Sequence, residues 1–62
     1  MRKVVQLIAY SQYGEYKSGD YAFLEGFVRG GDDVPCAVIS LKDGKFTLAP
    51  IYHLKRTDKV TL

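Results

Sequence analysis

The tetrapeptide Lys17-Ser18-Gly19-Asp20 runs directly into Tyr21-Ala22-Phe23-Leu24-Glu25-Gly26-Phe27-Val28, a Gly-Asp turn feeding a stretch rich in aromatic and branched apolar side chains. Such a run has the composition of a strand on a pleated, half-buried surface, and the turn in front of it sets where the strand begins. In a chain of 62 residues one strand of this kind decides much of the architecture. At this size folding removes only about 60% of the unfolded chain's surface from water. The core is therefore thin, it must recruit almost all of the Val, Ile, Leu and Phe, and association with a second subunit or a partner is a natural supplement.

The remaining segments read in the same terms. Val4 to Tyr10 is a short β-branched and apolar run that suits a strand better than a helix. Ser11 to Asp20 mixes polar groups with Tyr13, Gly14, Tyr16 and Gly19, which reads as an irregular loop leading into the second strand, Tyr21 to Arg29. Gly26 inside that strand predicts a bulge or a sharp bend. Gly30-Gly31-Asp32-Asp33 forms an acidic turn, and Val34 to Leu41 a third strand, with Pro35 near its start where a missing donor does least harm. After Pro50, Ile51-Tyr52-His53-Leu54 reads as one tight 3-10 turn, and Lys55 to Leu62 as a last strand pairing with the first.

The sharpest local signal is Lys42-Asp43-Gly44-Lys45, because Asp-Gly is a preferred central pair of a two-residue type I′ hairpin. That turn predicts a register in which Leu41 opposes Phe46, Ser40 opposes Thr47, Ile39 opposes Leu48, Val38 opposes Ala49 and Cys36 opposes Ile51. Leu41, Phe46, Ile39, Leu48 and Ala37 then share the core face. The opposite face, with Val38, Ala49, Cys36 and Ile51 at its far end, is too apolar to be wholly solvated. It is expected to be covered by curvature or by a partner.

Five short strands with no helical period predict a small, strongly bent barrel. The order of features resembles the SH3-like barrel superfamily, in which an opening strand, a long loop, a Gly-Asp-led second strand, a tight third-to-fourth hairpin and a 3-10 turn follow one another. Leu7 to Tyr13 resembles the aromatic opening of a signalling SH3 domain, Lys17-Ser18-Gly19-Asp20 its Lys-x-Gly-Asp turn, and Pro50-Ile51-Tyr52 its Pro and Tyr before the last strand. The resemblance implies an all-β fold, a small five-stranded SH3-like barrel with a short 3-10 turn before the last strand, in one domain over residues 1–62. The chain contains no Trp, so the tryptophan that walls the proline-peptide groove of signalling SH3 domains has no counterpart. Similar barrels include Tudor-like, KOW-like and Sm-like modules that bind proteins or nucleic acids, and fold alone does not choose among them.

Charge and chemistry narrow the choice by exclusion. A net charge of +2 and a pI near 8.8 are a mild bias, short of the basic excess that argues for nucleic acid on its own. Cys36 is the only cysteine, so neither an intrachain disulfide nor a cysteine-based zinc site is expected, which fits a reducing compartment. Met1 to Tyr10 begins like a signal peptide, but its apolar run is short, Gln6 interrupts it, and the core needs it. No stretch approaches the roughly 20 apolar residues of a membrane span, and the expectation is a soluble cytoplasmic protein without membrane contact. His53 lacks companion ligands for a metal, Cys36 lies mid-strand among apolar residues, and adjacent Asp32 and Asp33 do not have the alternate spacing of a calcium loop. No catalytic residue, cofactor or metal is therefore expected, and the chain is read as a non-enzyme.

The leading expectation is a protein-interaction module, self-associating as a homodimer, with Tyr13, Tyr16, Tyr52, Val38 and Ile51 at the binding surface. Rigid phenol rings give contact area at low entropic cost. Tyr10 and Tyr21 are assigned instead to capping the barrel. Chains of this size are common among phage and plasmid accessory factors that bind a host protein, which sets the expected biological setting. The rival from another class is a nucleic-acid-binding barrel in which Arg2, Lys3, Lys55, Arg56 and Lys59 gather where the first and last strands pair and contact phosphates, with exposed tyrosines stacking on bases. The same lysines on an edge strand also serve to discourage aggregation. A third reading, a small oligomeric enzyme like the plasmid-borne dihydrofolate reductase, lacks the Val-Gln-Ile-Tyr segment of that family.

Overall fold

The computed structural model describes residues 2–62, and its strands begin and end where side-chain patterning and turn chemistry change. β1 is Lys3–Leu7, β2 Tyr21–Arg29, β3 Pro35–Ser40, β4 Phe46–Pro50 and β5 Leu54–Arg56, with a 3-10 turn, η1, at Ile51–His53. All pairings are antiparallel, and the strands form one sheet in the order β4-β3-β2-β1-β5. The fold is all-β, as the sequence predicts, with η1 standing between β4 and the last strand. β2 matches its predicted span residue for residue. β5 is shorter than predicted, because only Leu54, Lys55 and Arg56 find partners on β1 and the chain from Thr57 onward leaves the ladder.

The bend falls where Gly26 predicts it. Leu24 opposes Ile39 and Gly26 opposes Val38, so Glu25 is the extra residue of a β-bulge. The bulged Glu25 is used as an anchor: the Ser40 hydroxyl donates to its Oε2 at 2.6 Å, and Arg2 Nε lies 3.4 Å from the same oxygen. One carboxylate thus ties the start of β1, the corner of β2 and the end of β3 together. It also satisfies the buried Ser40 hydroxyl, which would otherwise be costly.

The curled sheet encloses a small core of Val5, Leu7, Tyr16, Ala22, Ala37, Ile39 and Ala49, with Leu24, Leu41 and Leu54 packed against it. Three alanines in so small a core let facing strands approach closely. The cost is that Leu7 and Ile39 are the only large side chains with essentially no exposure among the described residues.

The third-to-fourth hairpin departs from the predicted register. Gly44 N–H donates to Leu41 C=O at 2.9 Å and Leu41 N–H donates to Lys45 C=O at 2.7 Å, with Gly44 at φ +89°. This is a three-residue loop, Lys42 to Gly44, in which only Gly44 needs positive φ, and not a two-residue type I′ turn. Asp43 Oδ1 accepts from Lys45 N–H at 3.0 Å and braces it. The extra loop residue slides β4 by one position: Ser40 opposes Phe46, Ile39 opposes Thr47, Val38 opposes Leu48, Ala37 opposes Ala49 and Cys36 opposes Pro50. A one-residue slip turns every side chain of a strand over. Thr47 and Ala49 therefore face inward, while Phe46 and Leu48, predicted for the core, are 63% and 52% exposed.

The second-to-third turn uses the same device. Asp33 N–H donates to Gly30 C=O at 3.0 Å, Gly30 N–H donates to Val34 C=O at 2.9 Å, and Asp32 Oδ1 accepts from Val34 N–H at 3.3 Å. Asp33 stands where Gly44 stands in the other loop, at φ +67°.

Candidate interaction surface

The first loop is held by its ends. Leu7 N–H donates to Asp20 C=O and Gly19 N–H donates to Leu7 C=O, both at 2.7 Å. Within the Gly-Asp turn, Asp20 N–H donates to Lys17 C=O at 3.0 Å with Gly19 at φ +97° in third place, the type II arrangement that demands glycine there. Asp20 Oδ2 accepts from Lys17 N–H at 3.1 Å, so both residues of the Gly-Asp pair have a stated job. Further out, Ser11 N–H donates to Tyr16 C=O at 3.0 Å and Gly14 N–H to Ser11 C=O at 3.1 Å.

Two side chains pin the loop to the rest of the molecule. Thr47 Oγ1 donates to Glu15 Oε1 at 2.7 Å, joining the loop to β4. The Tyr16 ring is buried in the core, and its hydroxyl lies 2.7 Å from His53 Nδ1 of η1. A neutral His53 accepts this bond at Nδ1 and carries its ring proton on Nε2. Burial pushes the Tyr16 hydroxyl above the ordinary tyrosine pKa, with the nearby Glu15, Cys36 and Tyr52 adding to the rise, so the group stays a protonated donor. Ile8 N–H donates to His53 C=O at 2.8 Å, which fixes η1 against the outgoing end of β1.

This framework presents tyrosines to solvent. Tyr10 is 73% exposed, Tyr13 80% and Tyr52 68%, with Ile51 partly exposed beside Tyr52. Tyr52 packs edge-on against His53 at 5.0 Å between ring centroids, and His53 in turn meets Tyr16 at 6.0 Å. Tyr13, Tyr52 and Ile51 are thus exposed. Tyr16 is not, because it is a core residue whose ring supports the loop from beneath. Tyr10, expected to cap the barrel, points to solvent instead. Tyr21 is half-buried, with the Lys59 ammonium 4.9 Å from its ring centroid.

No protein-family model, curated protein or solved structure matches the chain.

A second apolar surface lies on the outside of the β2-β3-β4 limb. Directly opposed residues share a face, so Val28 and Cys36, Cys36 and Pro50, and Val38 and Leu48 project outward together, with the exposed Phe46 beside the buried Ser40 at the end of the row. The predicted outer set of Val38, Ala49, Cys36 and Ile51 is corrected by the register: Leu48 and Pro50 take the places of Ala49 and Ile51. Two larger side chains, Phe46 and Leu48, are added to solvent. Cys36 is half-buried and its thiol donates to Val34 C=O at 3.5 Å.

The basic residues are brought to one edge but not to one surface. Lys55 opposes Gln6 and Arg56 opposes Val5, so these neighbours fall on opposite faces of the β1-β5 pair. Lys3 lies on the inward side with Val5, whereas Arg2 sits over the outward-facing Phe23, 5.1 Å from its ring centroid, and is paired with Glu25. Period-2 alternation splits the predicted patch. Among the described residues no group of three or more His, Cys, Asp or Glu side chains could hold a metal ion, and no helix is long and apolar enough to cross a membrane.

Proposed function

We propose that the chain is a protein-binding module of the SH3-like barrel kind, which contacts its partner through Tyr10, Tyr13 and Tyr52 with Ile51 at their side. The observation that carries this reading is the exposure of Tyr10 and Tyr13 on a loop fastened to β4 by the Glu15–Thr47 bond and, by the Tyr16–His53 bond, to η1, which bears the exposed Tyr52. Leaving three aromatic rings in water gains a monomer nothing, whereas rigid Tyr side chains on a fixed base are what a binding surface needs. The strand order β4-β3-β2-β1-β5, with the long loop between β1 and β2 and a 3-10 turn before β5, is the order of SH3-like barrels and supports the fold-level part of the reading.

The partner is a protein segment that offers apolar side chains to the rings and backbone groups to the phenol hydroxyls. A proline-rich peptide held in a tryptophan-walled groove is not the ligand, since the chain has no Trp. Affinity capture from the native host's lysate, with and without nuclease, tests the reading. A protein retained by the wild type after nuclease and lost by both Tyr13→Ser and Tyr52→Ser supports it. Capture that disappears with nuclease, or that is indifferent to both substitutions, overturns it.

A further inference from the structure

The two edges of the sheet are treated very differently. Edge strand β5 is only Leu54–Arg56 and carries Lys55 and Arg56, two of the usual devices against edge pairing, shortness and charge. Edge strand β4, Phe46-Thr47-Leu48-Ala49-Pro50, has no charged residue at all, and its outward Phe46 and Leu48 side chains are exposed.

The hairpin geometry says which backbone groups that edge offers. Leu41 N–H bonds Lys45 C=O, and an antiparallel ladder alternates from that pair. Thr47 and Ala49 therefore turn their N–H and C=O toward Ile39 and Ala37 of β3, while Phe46, Leu48 and Pro50 turn theirs away from the sheet. Proline fits this phase, because at Pro50 the missing donor would have pointed outward and β3 loses nothing. None of the loop and turn backbone hydrogen bonds among the described residues uses the outward groups of Phe46 or Leu48.

We infer that a second copy of this chain pairs antiparallel with β4 about a two-fold axis at Leu48. In that register Leu48 opposes Leu48 of the second copy and the two exchange reciprocal N–H to C=O bonds. Phe46 N–H reaches Pro50 C=O of the second copy at each end, and the only acceptor left to water is the Phe46 C=O, which faces the proline nitrogen. The outward side chains meet as Leu48 with Leu48 and Phe46 with Pro50, apolar pairs throughout, and Thr47 meets Ala49 on the other face. Lys45 of one copy falls opposite Ile51 of the other, so no like charges face each other. The strand is thus self-complementary in hydrogen bonds, side chains and charge, which is what an isologous contact requires. The two five-stranded sheets become one continuous sheet, with Val38, Phe46, Leu48 and Pro50 of both copies along its outer face.

The decisive variant is Leu48→Pro. It removes an N–H that points to solvent in the single chain, so the β3-β4 ladder keeps its bonds while the centre of the pairing is lost. Sedimentation from micromolar to millimolar concentration is expected to show a dimer for the wild type and a monomer for Leu48→Pro, with the far-ultraviolet circular dichroism of the two alike. In the wild type, amide exchange at Phe46 and Leu48 slows by about tenfold once nine in ten chains are paired, whereas Thr47 and Ala49, bonded to β3 throughout, keep one rate. A wild type that stays monomeric at millimolar concentration overturns the inference. So does a Leu48→Pro chain that dimerises like the wild type. Should that variant not fold, the exchange pattern of the wild type decides alone: protection that rises with concentration at residues other than Phe46 and Leu48 also overturns it. The contact uses none of the tyrosines, so Tyr13→Ser is expected to dimerise normally, and loss of partner capture and loss of pairing are read separately.

Discussion

Tyr16 shows how one residue can look like a site and act as a support. Its ring is buried with Leu7 and Ile39 while its hydroxyl bonds His53, so it joins the first loop, the core and η1. Its pKa is raised, mainly by burial, which means the neutral hydroxyl is the form the fold favours. That contribution to stability is whole below the ordinary tyrosine value of 10.0 and is lost as pH rises through the higher folded value. Denaturant midpoints measured across the alkaline range are expected to fall above pH 10 for the wild type and to fall less steeply for Tyr16→Phe. At neutral pH the same substitution costs about 0.5–1.5 kcal/mol through the missing hydrogen bond. Asp33 offers the opposite case. It occupies a left-handed conformation at φ +67° in a loop whose twin uses glycine, and its ion pair with Arg29 is solvent-exposed on both sides, a kind of pair that contributes little. Asp33→Gly is therefore expected to raise the thermal midpoint, by the equivalent of up to about 1 kcal/mol.

The hairpin between β3 and β4 is where local turn chemistry and core packing compete. Asp-Gly is legible in the sequence as a turn, but it serves two loops equally: a two-residue turn with both residues at positive φ, or a three-residue loop with Asp second and Gly third. Nothing local separates them. The core does, because the three-residue loop puts Ala49 beside Ala37 where the curled sheet has room only for small side chains. The neighbouring turn shares its hydrogen-bond pattern, with Asp32 in the place of Asp43 and Asp33 in the place of Gly44. Charge-scanning β4 checks the register. Leu48→Lys is expected to keep the fold, and Ala49→Lys to abolish it, with circular dichroism as the readout; the type I′ register requires the reverse. By contrast the span of β2, a bulge or bend next to Gly26 and a turn at Gly19-Asp20 were legible, since each depends on a local backbone requirement.

For the whole molecule the limiting quantity is the core. Below about 70 residues a single core rarely supplies more than about 3–5 kcal/mol of net stability, and removing a fully buried Leu or Ile side chain costs about 2–5 kcal/mol. Leu7→Ala is therefore expected to be unfolded at room temperature by circular dichroism, whereas Ile39→Val, at about 0.5–1.5 kcal/mol, stays folded with a lower midpoint. The same scarcity explains why so many large apolar side chains remain outside: alanines at positions 22, 37 and 49 close the interior before Phe46 and Leu48 can enter it. The all-β class, the position of β2, the bulge and the turn glycines follow from local sequence, because strand composition and positive φ are properties of a residue and its near neighbours. The tertiary structure alone decided that Tyr16 is core and Tyr10 is surface, that the basic residues divide between two faces, and that β4 shows Phe46 and Leu48 to solvent. Each of those depends on which strand lies opposite which, at single-residue register, and packing across the curled sheet sets it.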